Sequence, residues 1–396
     1  MREQGAVRDA PGVDATRALY AGGVTQWFTE SFRSEFEKQA SLMGRFNLGV
    51  FGKTGVGKST IINAVFGEQV AETGIGAPVT QGSHLYTGVH GSLGLIDTRG
   101  LEMGRDDKAL LADLKKFVHE RRSLPLSEQM HAAWYCVRAL DRRFEDSEET
   151  FIRALHALGV PMIMVFTQVP VRDGQFHPDA VELARQIEAR DLPIVGERPF
   201  MTFAMRDQFT GQPAYGLMEL LQATFRVVPD AVHAALAAAQ KIDLDAKTRQ
   251  AQRQIAASMA AAATAAAVPI PFSAATVLVP IQLALMARIA QLYGVPFDRA
   301  AIMAIASTSL ATTAGRTTAM SLLKLIPGAG QVAGGVINAS VASGFTLAMG
   351  QAWLAVCQKA SGGEVPSIDG VFDPVILREI FEAEFARRMP RIRRDA

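Results

Sequence analysis

The residues of this chain best suited to chemistry are Gly52-Lys53-Thr54-Gly55-Val56-Gly57-Lys58-Ser59, a full match to the phosphate-binding loop pattern. Glycines at 52, 55 and 57 lack Cβ, so successive backbone N–H groups can close around a dense anion at a helix N-terminus. Lys58 then reaches the β- and γ-phosphates of a nucleotide, and the Ser59 hydroxyl ligates Mg²⁺. Thr54, Val56 and Thr60 complete the phosphate-contacting stretch. A ligand-free turn would have little use for Gly-Lys-Ser at this spacing.

Two further groups are placed to join that site. Thr80 lies in Glu72–Gln81, too rich in Gly and Pro to be regular structure, where a mobile loop can bring a hydroxyl and a backbone N–H to Mg²⁺ and the γ-phosphate. An ordinary turn is the competing reading. Asp97-Thr98-Arg99-Gly100 ends the apolar run Leu93–Ile96. A carboxylate at a strand's C-terminal end suits Mg²⁺, and the Gly100 N–H can meet the γ-phosphate. Ser59, Thr80 and Asp97 are thus the expected metal-site residues.

These groups need a scaffold of strands and helices. Apolar runs at 47–51, 83–90, 93–96, 132–137, 161–166 and 199–204 read as strands; 60–66, 147–158, 179–190 and 217–227 read as helices. Strands alternating with helices predict an α/β fold, a mostly parallel sheet covered by helices on both faces, with ligand at the strands' C-terminal ends. Trp27–Met43 reads as an amphipathic helix packed on this nucleotide domain, in preference to a membrane-surface helix, because its charges are mixed. Residues 1–24 are polar and read as a flexible leader.

Composition narrows the setting. With 396 residues, 40 basic and 39 acidic side chains and a formal charge of +1, the chain can bury a sizeable core and carries no global field toward nucleic acid. Cys136 and Cys357 have neither metal-ligand nor redox spacing, which suits buried thiols in a reducing compartment. The amino terminus lacks the apolar core of a secretory signal, so a cytoplasmic protein is expected.

Near Val228-Pro229-Asp230 the composition changes. The division expected is 1–24 leader, 25–228 nucleotide domain, 229–380 apolar Ala/Gly-rich helical domain and 381–396 basic tail. No charge occurs from Gln254 to Ala287 or from Leu325 to Gln358. Two readings stand: a compact or oligomeric helical bundle, and a domain inserted in or docked on the inner face of the cytoplasmic membrane through 254–358, helped by the arginine tail. Pro269, Pro271, Pro280 and the density of Gly, Ser and Gln oppose insertion.

Gly52–Ser59, Thr80 and Asp97–Gly100 resemble the motifs of small regulatory GTPases of the translation-factor-related, Era-like branch. With Pro78-Val79-Thr80, Trp134-Tyr135-Cys136 and Leu325–Gly330, the chain over about 27–380 is similar to bacterial GTPases fused to a YcjF-like helical domain of unknown function. The resemblance implies a Mg²⁺-dependent GTPase that cycles between GTP and GDP and switches its helical domain's association with itself, a protein partner or a membrane. It also implies that Thr167, Gln168 and Ala204 flank the base. Two departures matter. The family's guanine-reading Asn/Thr-Lys-x-Asp is here Thr167-Gln168-Val169-Pro170, so an adenine nucleotide is an alternative ligand, and Asp173 is the nearest substitute carboxylate. The water-orienting glutamine after Asp-x-x-Gly is Leu101, which implies slow intrinsic hydrolysis and identifies no catalytic base; Arg99 and Glu102 are nearby. The alternative to a switch is a membrane-associated or scaffold protein whose nucleotide is structural and turns over negligibly.

Overall fold

The computed structural model describes residues 30–67, 85–87, 91–96, 107–266, 274–295, 339–368 and 371–388. The chain groups into two units, Ala40–Lys247, and Thr248 onward together with N-terminal residues up to Gln39.

In the first unit, strands β1 (Phe46–Phe51), β2 (Leu85–Thr87), β3 (Leu93–Ile96), β4 (Ala132–Arg138), β5 (Met162–Thr167) and β8 (Phe200–Met201) form one sheet in the order β2-β3-β1-β4-β5-β8. Only β2 runs antiparallel, against β3; the other pairings are parallel. The parallel strands are continuous apolar runs because both their faces are covered. On one face Phe46, Leu48, Val50, Trp134, Cys136, Ile163 and Val165 pack with Ile61 and Val65 of α2 (Lys58–Phe66) and Leu220 of α6 (Leu217–Val227). On the other, Tyr135, Val137, Met162, Met164 and Phe166 pack with α3 (Asp107–Arg121), α4 (Asp146–Ala157) and α5 (Pro178–Glu188). The expected α/β architecture is the observed one.

Beyond α6 the chain adds α7 (His233–Ala239) to this unit. Ala235 and Leu236 are fully buried against the sheet face that carries Phe46. Between α7 and the next helix the chain breaks at 240–243, where Gln240 Oε1 accepts from the Asp243 backbone N–H (2.7 Å). The Asp243 carboxylate then caps α8 (Leu244–Ala266) by accepting from the Ala246 N–H (2.7 Å). The first compact unit thus runs past 228, through α7, to Lys247.

The second unit contains α8 from Thr248, α9 (Ala274–Tyr293), α10 (Ala339–Ser361) and α11 (Pro374–Arg388), with a two-stranded ribbon, β9 (Ser367–Ile368) and β10 (Val371–Phe372), before α11. Trp353 of α10 is its buried centre, donating from its indole N–H to Met286 O (2.8 Å) and meeting Phe381 of α11 edge-on (6.3 Å). A Cβ at Gly350 would stand 2.9 Å from Ile255 Cγ1 and 3.0 Å from Leu285 Cδ2, so this glycine permits a close crossing of α10 with α8 and α9.

Helix α1, over residues 30–43, corrects an expectation in part. Expected to pack on the nucleotide domain, it does so at its C-terminal end, where Met43 joins the cluster around Phe46, while its earlier part packs with the helical unit: Phe32 lies edge-on to Trp353 (6.5 Å), Arg288 Nε donates to Gln39 Oε1 (2.6 Å), and Gln291 Nε2 donates to Phe36 O (3.2 Å). The basic tail expected from 381 is helical as far as Arg388, because Phe381 and Phe385 stack on each other while Arg387 and Arg388 pair with Glu384. Residues 389–396 lie outside the described residues. Among the described residues one helix, α10, is long and apolar enough to cross a membrane, and 61% of its apolar window is buried within the protein.

Candidate functional site

The candidate site is built where β1 stops. Phe51 is the last strand residue, and Gly52 turns the chain at φ 130° so close to β4 that a Cβ there would stand 2.2 Å from the Cys136 carbonyl oxygen. No other residue fits this position. Gly55 (φ 79°) and Gly57 (φ 96°) continue in the left-handed region, and Gly57 caps α2 without a side-chain hydrogen bond, so the helix's first N–H groups emerge into the loop.

Lys58, the first residue of α2, folds back over that loop. Its ammonium donates to Gly52 O (2.8 Å) and Lys53 O (2.9 Å). Ser59 and Thr54 are exposed, Val56 is buried and Thr60 half-buried. The loop is also tied to β5: the Thr167 hydroxyl donates to Val56 O, and Thr167 itself is buried. Gln168 follows at a left-handed φ of 55°, with its side-chain Nε2 3.4 Å from where a Gly57 Cβ would stand. The structure therefore brings Gly52–Thr60 and Thr167–Gln168 together. Ala204 lies just past β8, the neighbour of β5 at the sheet edge. Thr80, Asp97, Gly100, Leu101, Arg99 and Glu102 lie outside the described residues.

The segment after Gln168 is held by its backbone. Val169 is fully buried, its N–H donating to Thr202 O (3.1 Å) and its carbonyl accepting from Tyr215 Oη (2.7 Å). Burial pushes the Tyr215 phenol up to about 12, so it remains a donor at neutral pH. Pro170 O accepts from the His177 N–H (2.9 Å), closing a two-stranded ribbon of β6 (Val171–Arg172) and β7 (Gln175–Phe176). Asp173 and Gly174, at φ 52° and 76°, form its turn. Asp173, considered as a substitute base-reading carboxylate, is thus fixed at an exposed ribbon tip. The Asp-Gly pair is the local sequence signal of this hairpin.

Four residues at the loop carried no sequence signal of their role. Lys53 Nζ pairs with Glu145 Oε1 (2.7 Å) and Glu148 Oε2 (3.4 Å) at the start of α4, and Tyr135 Oη of β4 donates to Glu148 Oε1 (3.0 Å). Burial pulls the Lys53 ammonium down, but the two carboxylates outweigh it and leave the group raised; the hydrogen bond from Lys53 in turn holds Glu145 below its usual value. Glu145 and Glu148 form a capping box, visible as an acidic pair three apart, yet nothing local joins them to a lysine 92 positions away. Cys136 is buried beside the loop, its thiol pushed up to about 12 by burial, and is inert.

Among the described residues no cluster of three or more His, Cys, Asp or Glu could hold a metal. Mg²⁺ at phosphate sites is generally held by a few protein oxygens together with the phosphates and water. The exposed Ser59 hydroxyl at the N-terminus of α2 fits such a role. When bound, the ion would neutralise charge on the β- and γ-phosphate oxygens.

A parallel sheet ending in a glycine loop, with a lysine ammonium held across it at a helix N-terminus, defines a P-loop nucleoside triphosphatase fold. Residues 47–168, from β1 through the end of β5, match the family described as 50S ribosome-binding GTPase, and this stretch is a P-loop GTPase domain. No curated protein matches the chain.

Proposed function

We propose that the chain is a Mg²⁺-dependent GTPase of the Era-like branch, carrying a YcjF-like helical unit, that hydrolyses GTP slowly to GDP and phosphate. The observation that carries this reading is the Lys58 ammonium held by two loop carbonyls over the open N-terminus of α2. In it, loop N–H groups and Lys58 bind the β- and γ-phosphates, Ser59, Thr80 and Asp97 hold Mg²⁺, and Thr167, Gln168 and Ala204 border the base. The nucleotide state, sensed around Thr80 and Gly100–Leu101, controls association of the helical unit with a second copy, a protein partner or an anionic membrane surface.

A second reading has one specific support. Pro170 stands where a guanine-reading carboxylate is expected, its carbonyl is used by His177, and Asp173 is held at the ribbon turn, so a pocket that also admits ATP fits these residues. Calorimetric titration with non-hydrolysable GTP and ATP analogues in Mg²⁺ tests both. Preference for GTP, with affinity lowered about tenfold to a hundredfold in Lys58→Ala, is the expected result. Equal affinities would favour the permissive pocket; no binding of either would reject the nucleotide reading.

A further inference from the structure

The loop's second residue is a lysine whose charge is already engaged, and the engagement is elaborate. Glu148 is 2% exposed, and its two oxygens accept from Tyr135 Oη (3.0 Å) and the Glu145 N–H (2.8 Å). A carboxylate removed from water in this way requires a cation, and Lys53 Nζ at 3.4 Å supplies it while also pairing with Glu145 at 2.7 Å. The backbone carbonyl of this same Lys53 accepts from the Lys58 ammonium (2.9 Å). A continuous set of contacts therefore runs from Tyr135 on β4, through Glu148 on α4 and the side chain of Lys53, to the backbone that aims Lys58.

Lys53 and Thr54 are flanked by Gly52 and Gly55, whose torsions lack the steric limits of other residues, so the loop's own backbone does little to fix where the pair sits. An anchored side chain at 53 removes that freedom. We propose that Lys53 is a positioning residue for the phosphate site: pinned by Glu145, Glu148 and Tyr135, it fixes the Gly52 and Lys53 carbonyls that hold Lys58 in place for the β- and γ-phosphates. This rests on the nucleotide-hydrolase reading above. Lys53 acts through Lys58 and does not itself meet phosphate.

A double-mutant cycle on the full chain separates this role from its rivals. The affinity for a fluorescent GTP analogue in Mg²⁺ is measured up to millimolar nucleotide, beside the unfolding temperature without nucleotide. Lys53→Met is expected to weaken binding about tenfold, the scale of one misaligned charge-assisted hydrogen bond, and Lys53→Arg to restore it. In the Lys58→Ala background the same Lys53→Met change is expected to alter affinity less than about twofold, because the group being positioned is gone. The paired variant Lys53→Met/Glu148→Gln removes both charges, so it keeps its unfolding temperature and still shows the tenfold loss. Equal losses in both backgrounds would mean that Lys53 touches phosphate directly and would overturn the proposal. A lowered unfolding temperature with unchanged affinity would overturn it too, leaving Lys53 as charge compensation alone. Failure of the unmodified protein to bind any nucleotide would instead reject the nucleotide reading on which it rests.

Discussion

At the scale of residues, the first unit is held by polar groups that its apolar strands must bury. His131, at the start of the β4 run, is 3% exposed; its Nδ1 accepts from the Asn47 N–H (2.8 Å), and its Nε2 lies 2.9 Å from Leu126 O. One ring nitrogen accepts and the other donates, which is the neutral imidazole. Burial accordingly lowers the His131 pKa from its ordinary 6.5. The unfolded chain then binds more protons than the folded one between the depressed value and 6.5, so stability rises with pH through that window and is lost as pH falls below 6.5. Denaturant unfolding from pH 7.5 to 5 should show this decline, and His131→Gln should flatten it. A profile unchanged in the variant would remove His131 as the cause.

At the scale of elements, glycines decide where helices approach each other and where the chain turns. Gly350 lies in the middle of α10, where glycine ordinarily costs stability, and the geometry explains it: Ile255 and Leu285 occupy the space of its missing side chain. Gly350→Val is expected to lose about 1–3 kcal/mol through overpacking, read as an earlier thermal transition by circular dichroism. An unchanged transition would show that the crossing relaxes freely. The uncharged stretches 254–287 and 325–358 contribute α8, α9 and α10, and Trp353 and Cys357 of α10 are buried inside the protein. Such a helix passes a hydropathy test for a membrane span and a soluble core alike, because both environments exclude water.

For the whole molecule, the two chain ends of the helical unit flank the nucleotide unit in sequence, so the latter is an insertion between α1 and the continuation of α8. A fragment covering 25–228 would carry α1 without Trp353 and lose α7, leaving the sheet face around Phe46 without Ala235 and Leu236. A fragment covering 40–247 keeps that face covered. The shorter fragment is expected to unfold at lower denaturant concentration or to aggregate, and the longer one to unfold cooperatively and to bind nucleotide. Equal stability of the two would place the boundary back near 228.

By itself the sequence determined the phosphate loop and the alternation of strands and helices that makes a mostly parallel sheet. These depend on contacts close in sequence: glycines at fixed offsets, apolar runs of strand length, and helix periodicity. Only the tertiary structure decided what a helix such as α1 packs against, since Phe32, Phe36 and Gln39 form a stripe that would suit either unit. It likewise decided that Val169 turns inward, an outcome of bonds to Thr202 and Tyr215 more than thirty residues away. The Lys53–Glu148 pairing belongs to the same class: ionic partners are selected by three-dimensional distance and burial, and sequence spacing carries neither.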